Sequence, residues 1–297
     1  MAASAPREKL SVPYPLVRVI HRTVEKDYRG PVFVWDIDKT YLDTRFSQLR
    51  HALKIPFELG VDKKALPGMV ELLHGLREGA SGRGHHPLYF VSASPWQLGR
   101  SIEKKMLLDG VEYDGIYYKN PLRAAWEGGT EQFREQVAYK LSALFLLYQS
   151  LPGNATLHLF GDDAEKDALI YCLFADTAAG RLRGRPLHDT LLALGIRHEY
   201  ASALQSLAAI LPVREAAGEI CIHLVRVPDG SSLAEFDTRV TGFGSAGAVA
   251  RKLALEGLLA QRALARIENL IGNGNTVQGT SPSNPQGYRT PAKYLVL

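Results

Sequence analysis

Short apolar runs recur along the first 175 positions, and each stops abruptly at small or acidic residues. The run 31–35, PVFVW, is β-branched and aromatic and follows a Gly-Pro pair, which predicts a buried strand ending at Asp36-Ile37-Asp38-Lys39-Thr40. The run 87–91, PLYFV, predicts a second strand, ending in Ser92-Ala93-Ser94-Pro95. Residues 115–118 read as a third strand. Residues 157–160 read as a fourth, ending in Gly161-Asp162-Asp163. Helical spacing fills the gaps, over 70–77 behind Pro67-Gly68, over 99–108, over 130–149 and over 167–175. Strands alternating with helices predict an α/β fold with a parallel sheet covered on both faces.

Outside this stretch the pattern is less regular. A helix is expected around 14–25, helical character over 187–211, a strand over 219–227 and a long amphipathic helix over 248–270. From 272 onward Gly, Asn, Ser and Pro accumulate, the composition of a flexible or weakly docked tail. The expected organisation is an N-terminal helical extension (1–29), one domain (30–271, with its motif core at 30–175) and the tail (272–297).

Composition narrows the function classes. The chain has 297 residues, 46% hydrophobic and 22% charged, ordinary globular proportions with enough chain for a real core. A net charge of +4 suits an anionic substrate but falls short of a dedicated nucleic-acid binder. Two cysteines, Cys172 and Cys221, exclude a disulfide framework and a cysteine-built zinc site. Cys172 lies in an apolar run and reads as a buried thiol. The first residues lack the apolar stretch of a secretory signal, and no run approaches the roughly 20 apolar residues that span a bilayer. A soluble cytoplasmic protein is expected, with peripheral membrane contact left open.

The acidic clusters carry the chemistry. Asp36 and Asp38, two apart in extended chain, point to the same side. Two adjacent carboxylates repel unless a cation sits between them or one keeps its proton. Magnesium takes a few hard oxygen ligands and keeps several waters. Phosphate-ester hydrolysis uses both features: one carboxylate attacks phosphorus, and the other donates a proton to the leaving oxygen and then takes one from water. Alone, this Asp-x-Asp-x-Thr also fits a capped turn before a helix. Thr40 supplies a hydroxyl that holds the loop or Asp38. Ser92, with the backbone at Ala93, suits phosphoryl oxygens. Thr40, Ser92 and Ala93 are therefore the candidate substrate-binding residues. Lys140, on the helix between the second and fourth strands, is the candidate cation that neutralises a dianionic phosphate. Gly161 permits a tight strand exit. Asp162 then reaches a metal, and Asp167 ligates through water or orients a ligand. Asp163 and Glu165 also suit a helix N-terminus, where the dipole favours acids. Asp36, Asp38 and Lys140 are the candidate catalytic residues, and Asp36, Asp38, Asp162 and Asp167 the candidate ligands of Mg2+. Ligand sites of parallel sheets lie beyond the carboxyl ends of the strands, where these clusters fall.

Together these residues resemble the haloacid dehalogenase superfamily. Asp36, Asp38 and Thr40 match its first motif, Asp-x-Asp-x-Thr. The strand ending at Ser92 matches the second, Lys140 the third, and Gly161, Asp162 and Asp167 the fourth. The resemblance covers about residues 30–175. It implies a Rossmann-like three-layer parallel sheet, magnesium, and Asp36 as the nucleophile that becomes phosphorylated; the second aspartate, Asp38, marks a phosphotransferase. More narrowly, Ser92-Ala93-Ser94-Pro95-Trp96-Gln97-Leu98 is similar to a segment of the actin-patch-associated phosphatidate phosphatases, as is the fourth cluster running on to Ile170-Tyr171. The chain differs from that family at Lys39, Tyr139 and Asp163, all outside the catalytic positions. Between Thr40 and Ser92 there is room for a small flap near 45–64, and no large cap is evident between Ser92 and Lys140. Such an open site suits a bulky substrate, a phospholipid head group at a membrane surface or a phosphorylated macromolecule. The implied function is a phosphomonoester phosphatase acting on phosphatidate or another bulky phosphate. The alternatives are a phosphatase of nucleic-acid or protein phosphate groups and a non-catalytic phospholipid-binding module.

Two further motifs read more simply. Gly242-Phe243-Gly244-Ser245-Ala246-Gly247 spells a dinucleotide fingerprint, but the preceding strand is poor and no βαβ unit follows, so it reads as a loop packing at a helix start. The Arg181, Arg183, Arg185 stripe reads as a solvated face, with binding of lipid phosphate as the alternative.

Overall fold

The computed structural model describes residues 7–10, 14–42, 64–120, 130–226, 233, 236 and 239–272. Residues 45–63 of the expected flap and the tail from 273 lie outside them. The described strands form one sheet in the order β1 (Arg7–Leu10), β2 (Leu16–Ile20), β5 (Gly115–Lys119), β4 (Leu88–Pro95), β3 (Gly30–Asp36), β6 (Ala155–Asp162), β7 (Ala217–His223) and β8 (Val240–Phe243). From β5 to β8 every pairing is parallel, whereas β1 and β2 add antiparallel at one edge. The chain winds from β3 outward through β4 to β5, then returns to the other side of β3 and continues through β6 and β7 to β8. Strand β3 is therefore the switch point, where a crevice opens at the carboxyl ends.

Alternation along β3 divides the core into two layers. Val32 and Val34 face α3 (Thr130–Ser150), α4 (Asp167–Ala178), α5 (Gly184–Ala193) and α6 (His198–Ile210). Phe33 and Trp35 face α1 (Met69–Glu78), α2 (Gly99–Leu108), α7 (Ala246–Leu255) and α8 (Gln261–Ile271). The Trp35 ring stacks on Phe160 of β6, centroids 4.1 Å apart. Burial of each such side chain contributes about 1.5–3 kcal/mol. A strand covered on both faces reads as a continuous apolar run, which is why PVFVW was legible without alternation. Cys172 and Cys221 are both buried and unbonded to each other.

Four expectations change. Residues 16–20 form strand β2 and not part of a helix: Pro13 and Pro15 disfavour a helical start, and Val17, Val19 and Ile20 fit the pleated edge beside β5. The segment 187–211 is two helices, α5 and α6, separated at Gly195 with φ 78°. The segment 248–270 falls within two more, α7 and α8, separated at Gly257 with φ 71°. A left-handed glycine ends a helix at little cost. Finally, Gly242 lies inside β8, a true strand pairing parallel to β7, so the glycine motif does join a strand to a helix. Packing explains Gly242, where a Cβ would stand 3.0 Å from Leu233, whereas a Cβ on Gly244 would meet nothing within 4 Å and one on Gly247 only ordinary contact. Ser245 Oγ accepts from Ala248 N at 3.3 Å and caps α7 from within.

Candidate active site

The same alternation that divides the core places Asp36. Val32 and Val34 face α3, so Asp36, at the end of β3, points to that layer as well. There Lys140 projects from the buried stretch of α3, fully out of solvent. Its Nζ lies 2.8 Å from Asp36 Oδ1, 2.5 Å from Asp167 Oδ1 and 3.1 Å from Glu165 Oε2. Asp167 opens α4, and its carboxylate occupies the space above Gly161: a Cβ there would stand 2.2 Å from Asp167 Oδ2. The same Oδ2 accepts from Asp162 N at 3.1 Å. Gly161 lies inside β6 without a positive φ, so glycine there is required by the close approach of a side chain and not by a tight turn.

Asp162 ends β6 beside Asp36. Its Oδ1 accepts from the backbone N–H groups of Ala164 and Glu165, at 2.6 and 2.8 Å. Its Oδ2 is buried without a hydrogen-bond partner in the protein, as are Asp36 Oδ2, Asp38 Oδ1 and Thr40 Oγ1. Asp36, Asp162 and Asp167 each offer an oxygen, all within 4.8 Å of one another. Asp38 stands apart from that trio, held by Ser94 Oγ, which donates to its Oδ2 at 2.8 Å. Ser92 is fully buried and its Oγ accepts from Ser94 N at 3.1 Å. Ala93 is half-buried and packs on the α3 layer.

Charge is unbalanced here. Asp36, Asp167 and Glu165 surround one ammonium, and Asp162 lies beside Asp36 and Asp167. Burial raises the Asp36 carboxyl well above the usual range; Lys140 opposes this, while Glu165, Asp167 and Asp162 add to it. Burial, then Glu165 and Asp167, pushes Asp162 up to about 8. Glu165 is raised by burial too. Burial works against the Lys140 charge, but Asp167, Asp36 and Glu165 outweigh it and hold the ammonium firmly protonated. Buried carboxylates with free oxygens and a shortage of positive charge fit a divalent cation of hard oxygen preference.

Three participants escaped the sequence reading. Glu165 is buried, bound to Lys140, and accepts from Gln136 of α3. Its turn back into the site follows from Lys166, a non-glycine residue with φ 62°. Ser94 lies in the stretch where β4 breaks register with β5, so alternation along the sequence does not give its aim at Asp38. His223 ends β7, and its Nδ1 meets the carbonyl of Lys39 at 2.6 Å. Asp163 faces away and accepts from the backbone N–H groups of Val225 and Arg226, at 2.8 and 2.9 Å. The arginine stripe divides among partners of the fold. Arg181 meets Asp176 at 3.0 Å, Arg183 donates to the Leu211 carbonyl at 2.9 Å, and exposed Arg185 lies 3.5 Å from Asp189. Among the described residues, no helix is long and apolar enough to cross a membrane.

Comparison with known proteins gives the chain relatives. Residues 32–184, just over half of the chain, match the profile of the family described as "Phosphatidate phosphatase APP1, catalytic domain". The matched stretch contains Asp36, Asp38, Ser92, Lys140, Asp162 and Asp167. The chain is also similar to "Uncharacterized protein C29B5.04c" of Schizosaccharomyces pombe, 26% identical over 167 residues, which is 56% of this chain and 26% of that protein. The chain thus spans about a quarter of the length of that relative. No solved structure matches. The chain belongs to the family of the phosphatidate phosphatase APP1 catalytic domain.

Proposed function

We propose that this protein is a magnesium-dependent phosphomonoester phosphatase of the haloacid dehalogenase type, acting through an aspartyl-phosphate on Asp36. The observation that carries the reading is the convergence of Asp36, Lys140, Asp162 and Asp167 at the carboxyl end of the central strand. The three-layer sheet around β3 supports the haloacid dehalogenase assignment, and the packing of α7 and α8 against α1 supports one domain over 30–271. The family match favours phosphatidate as substrate, presented at a membrane surface to a peripherally bound, otherwise cytoplasmic protein.

Asp36, Asp162 and Asp167 would hold the magnesium ion, with Asp38 apart from them and held by Ser94. When bound it offsets the charge of the phosphoryl group and polarises it. Asp36 attacks phosphorus through its free oxygen, forming the acyl phosphate as the bond to the alkoxide leaving group breaks. Lys140, 2.8 Å from Asp36 Oδ1, opposes protonation of that carboxylate and aims it. Asp38, from its unpartnered Oδ1, gives a proton to the departing alkoxide. It then takes one from the water that attacks the acyl phosphate, returning Asp36 and releasing inorganic phosphate. Thr40 Oγ1, Ser92 and the backbone at Ala93 bind the phosphoryl oxygens during both steps.

The test is phosphate release from phosphatidate in detergent mixed micelles with Mg2+, run beside Asp36→Asn. The wild type is expected to turn over and to trap a hydroxylamine-sensitive phosphoenzyme after acid quench, and the variant to do neither. A phosphorylated Asp36→Asn protein, or full turnover by it, would remove the reading. A substrate panel with phosphopeptides and 5′-phosphorylated oligonucleotides distinguishes the lipid from other phosphate esters.

A further inference from the structure

We propose that Ser94 and His223 are positioning residues that together set Asp38 as the proton donor, Ser94 by holding its carboxylate and His223 by holding the backbone of its loop. The inference rests on the reading of Asp38 as general acid and base.

Two chemical constraints carry it. Ser94 Oγ donates to Asp38 Oδ2 at 2.8 Å, so that oxygen is occupied by a donor and is a poor place for a proton. Oδ1, buried and without a partner, becomes the atom that carries the proton to the substrate. Ser94 is itself held: its N–H donates to Ser92 Oγ at 3.1 Å, in the stretch where β4 breaks register with β5 between Ser92 and Pro95. A register shift of this kind re-aims side chains next to active sites.

On the other side, His223 meets the Lys39 carbonyl at 2.6 Å through Nδ1. A carbonyl only accepts, so Nδ1 must carry the proton, and the tautomer is fixed. The ring is oriented by stacking on Phe243 at 5.3 Å and 26°, and its backbone is in register with Asp162. The clamped residue is one the backbone resists. Lys39 has φ 63°, a left-handed conformation that a non-glycine residue keeps only when its surroundings hold it. Its N–H donates to the Leu42 carbonyl at 2.8 Å, and His223 holds the carbonyl side. Releasing that carbonyl lets the peptide relax and turns Asp38, one residue away, off its line.

Leaving-group dependence of kcat/KM, measured on the full chain with Mg2+, tests this directly. An aryl phosphate such as p-nitrophenyl phosphate departs without much help from an acid, whereas the alkoxide of a short-chain phosphatidate needs the proton. Ser94→Ala and His223→Ala are expected to lower kcat/KM about tenfold or more for phosphatidate, and less than threefold for the aryl ester. Ser94→Thr and His223→Asn, which keep a hydroxyl and an N–H donor, should restore most of the loss. Should His223→Ala fail to fold, His223→Phe keeps the stack without the donor and carries the same expectation. Equal losses on both substrates, or no loss, would overturn the inference. Asp38→Asn separates the two levels. If it too leaves the leaving-group dependence unchanged, the reading of Asp38 fails, whereas if it steepens that dependence and Ser94→Ala and His223→Ala do not, only the clamp fails.

Discussion

The two ends of the parallel sheet each bury carboxylates beside a strong cation, and they treat them oppositely. At the amino end, Asp114 receives two N–H groups of Arg77 at 2.7 and 3.2 Å, Arg22 at 3.1 Å and the Leu88 amide at 2.8 Å. One charge is enclosed by more donors than it needs. At the carboxyl end, Lys140 faces Asp36, Asp167 and Glu165, and several carboxylate oxygens are left with no partner in the protein. The first arrangement joins α1, β4 and the start of β5. The second leaves electrostatic demand unmet, where the proposed substrate and ion would meet. Burial of charge alone does not mark a functional site; incomplete satisfaction does.

Removing an acid from each end should therefore have opposite consequences for stability. Asp114→Ala strands the Arg77 guanidinium in the interior and is expected to cost about 3–5 kcal/mol, read as a lower urea midpoint. Asp36→Asn relieves repulsion and should leave the midpoint unchanged or raise it without added Mg2+. A destabilised Asp36→Asn protein would mean that the charges at the site are already balanced.

Lys140→Met is the converse change, removing the lone ammonium from among three carboxylates. Loss of kcat/KM by about 10³-fold is expected, since no donor then offsets charge on the nucleophile or the phosphoryl group. Steady-state kinetics checks it, and a fold-intact variant with near-normal activity would show that the ion alone suffices.

How far the sequence could show this difference depends on range. Strands β3 and β4 were legible because burial on both faces leaves few polar positions to confuse the run, β6 was legible despite its buried His158, and the residues at their ends followed at once. Strand β2 was not, because its reason for being extended is β5, some hundred positions away. Helices α5 and α6 read as one because Gly195 is a single weak signal inside a continuous apolar pattern. Within the site, Asp36 and Asp162 were placed by being terminal to strands, whereas Glu165 depends on the left-handed Lys166 and His223 on a carbonyl 184 residues earlier. Such partners are properties of the fold, not of local pattern.

A third titratable group lies toward the amino end and sets a pH limit there. His158 of β6 is pushed down to about 4 by burial and then by His86, while its Nδ1 accepts from Glu219 N at 3.1 Å. The unfolded chain takes up this proton near 6.5 and the folded one only near 4. Stability from this group is thus complete above 6.5 and falls as the pH drops toward 4, by about 3 kcal/mol in all. His86 is lowered as well, by burial and then His85, and acts in the same direction. His158→Asn, which keeps an acceptor for Glu219, should flatten the acid limb of Tm against pH by roughly that amount. An unchanged limb would assign acid unfolding elsewhere.

The smallest effect separates the ends most cleanly. An ion that binds only the folded protein stabilises it by about 1.4 kcal/mol at tenfold its dissociation constant. Added Mg2+ is therefore expected to raise the unfolding midpoint of the wild type by that increment, and the increment should vanish in Asp162→Asn. It should persist in a variant at the amino end mild enough to fold, such as Glu112→Gln, whose side chain is exposed beside Arg22. Unpartnered oxygens at Asp36 and Asp162 are a cost of folding that a bound ion would offset, and Asp114 has no such cost to recover. Equal Mg2+ increments in wild type and Asp162→Asn would place the binding ion outside this cluster, whatever the activity of either protein.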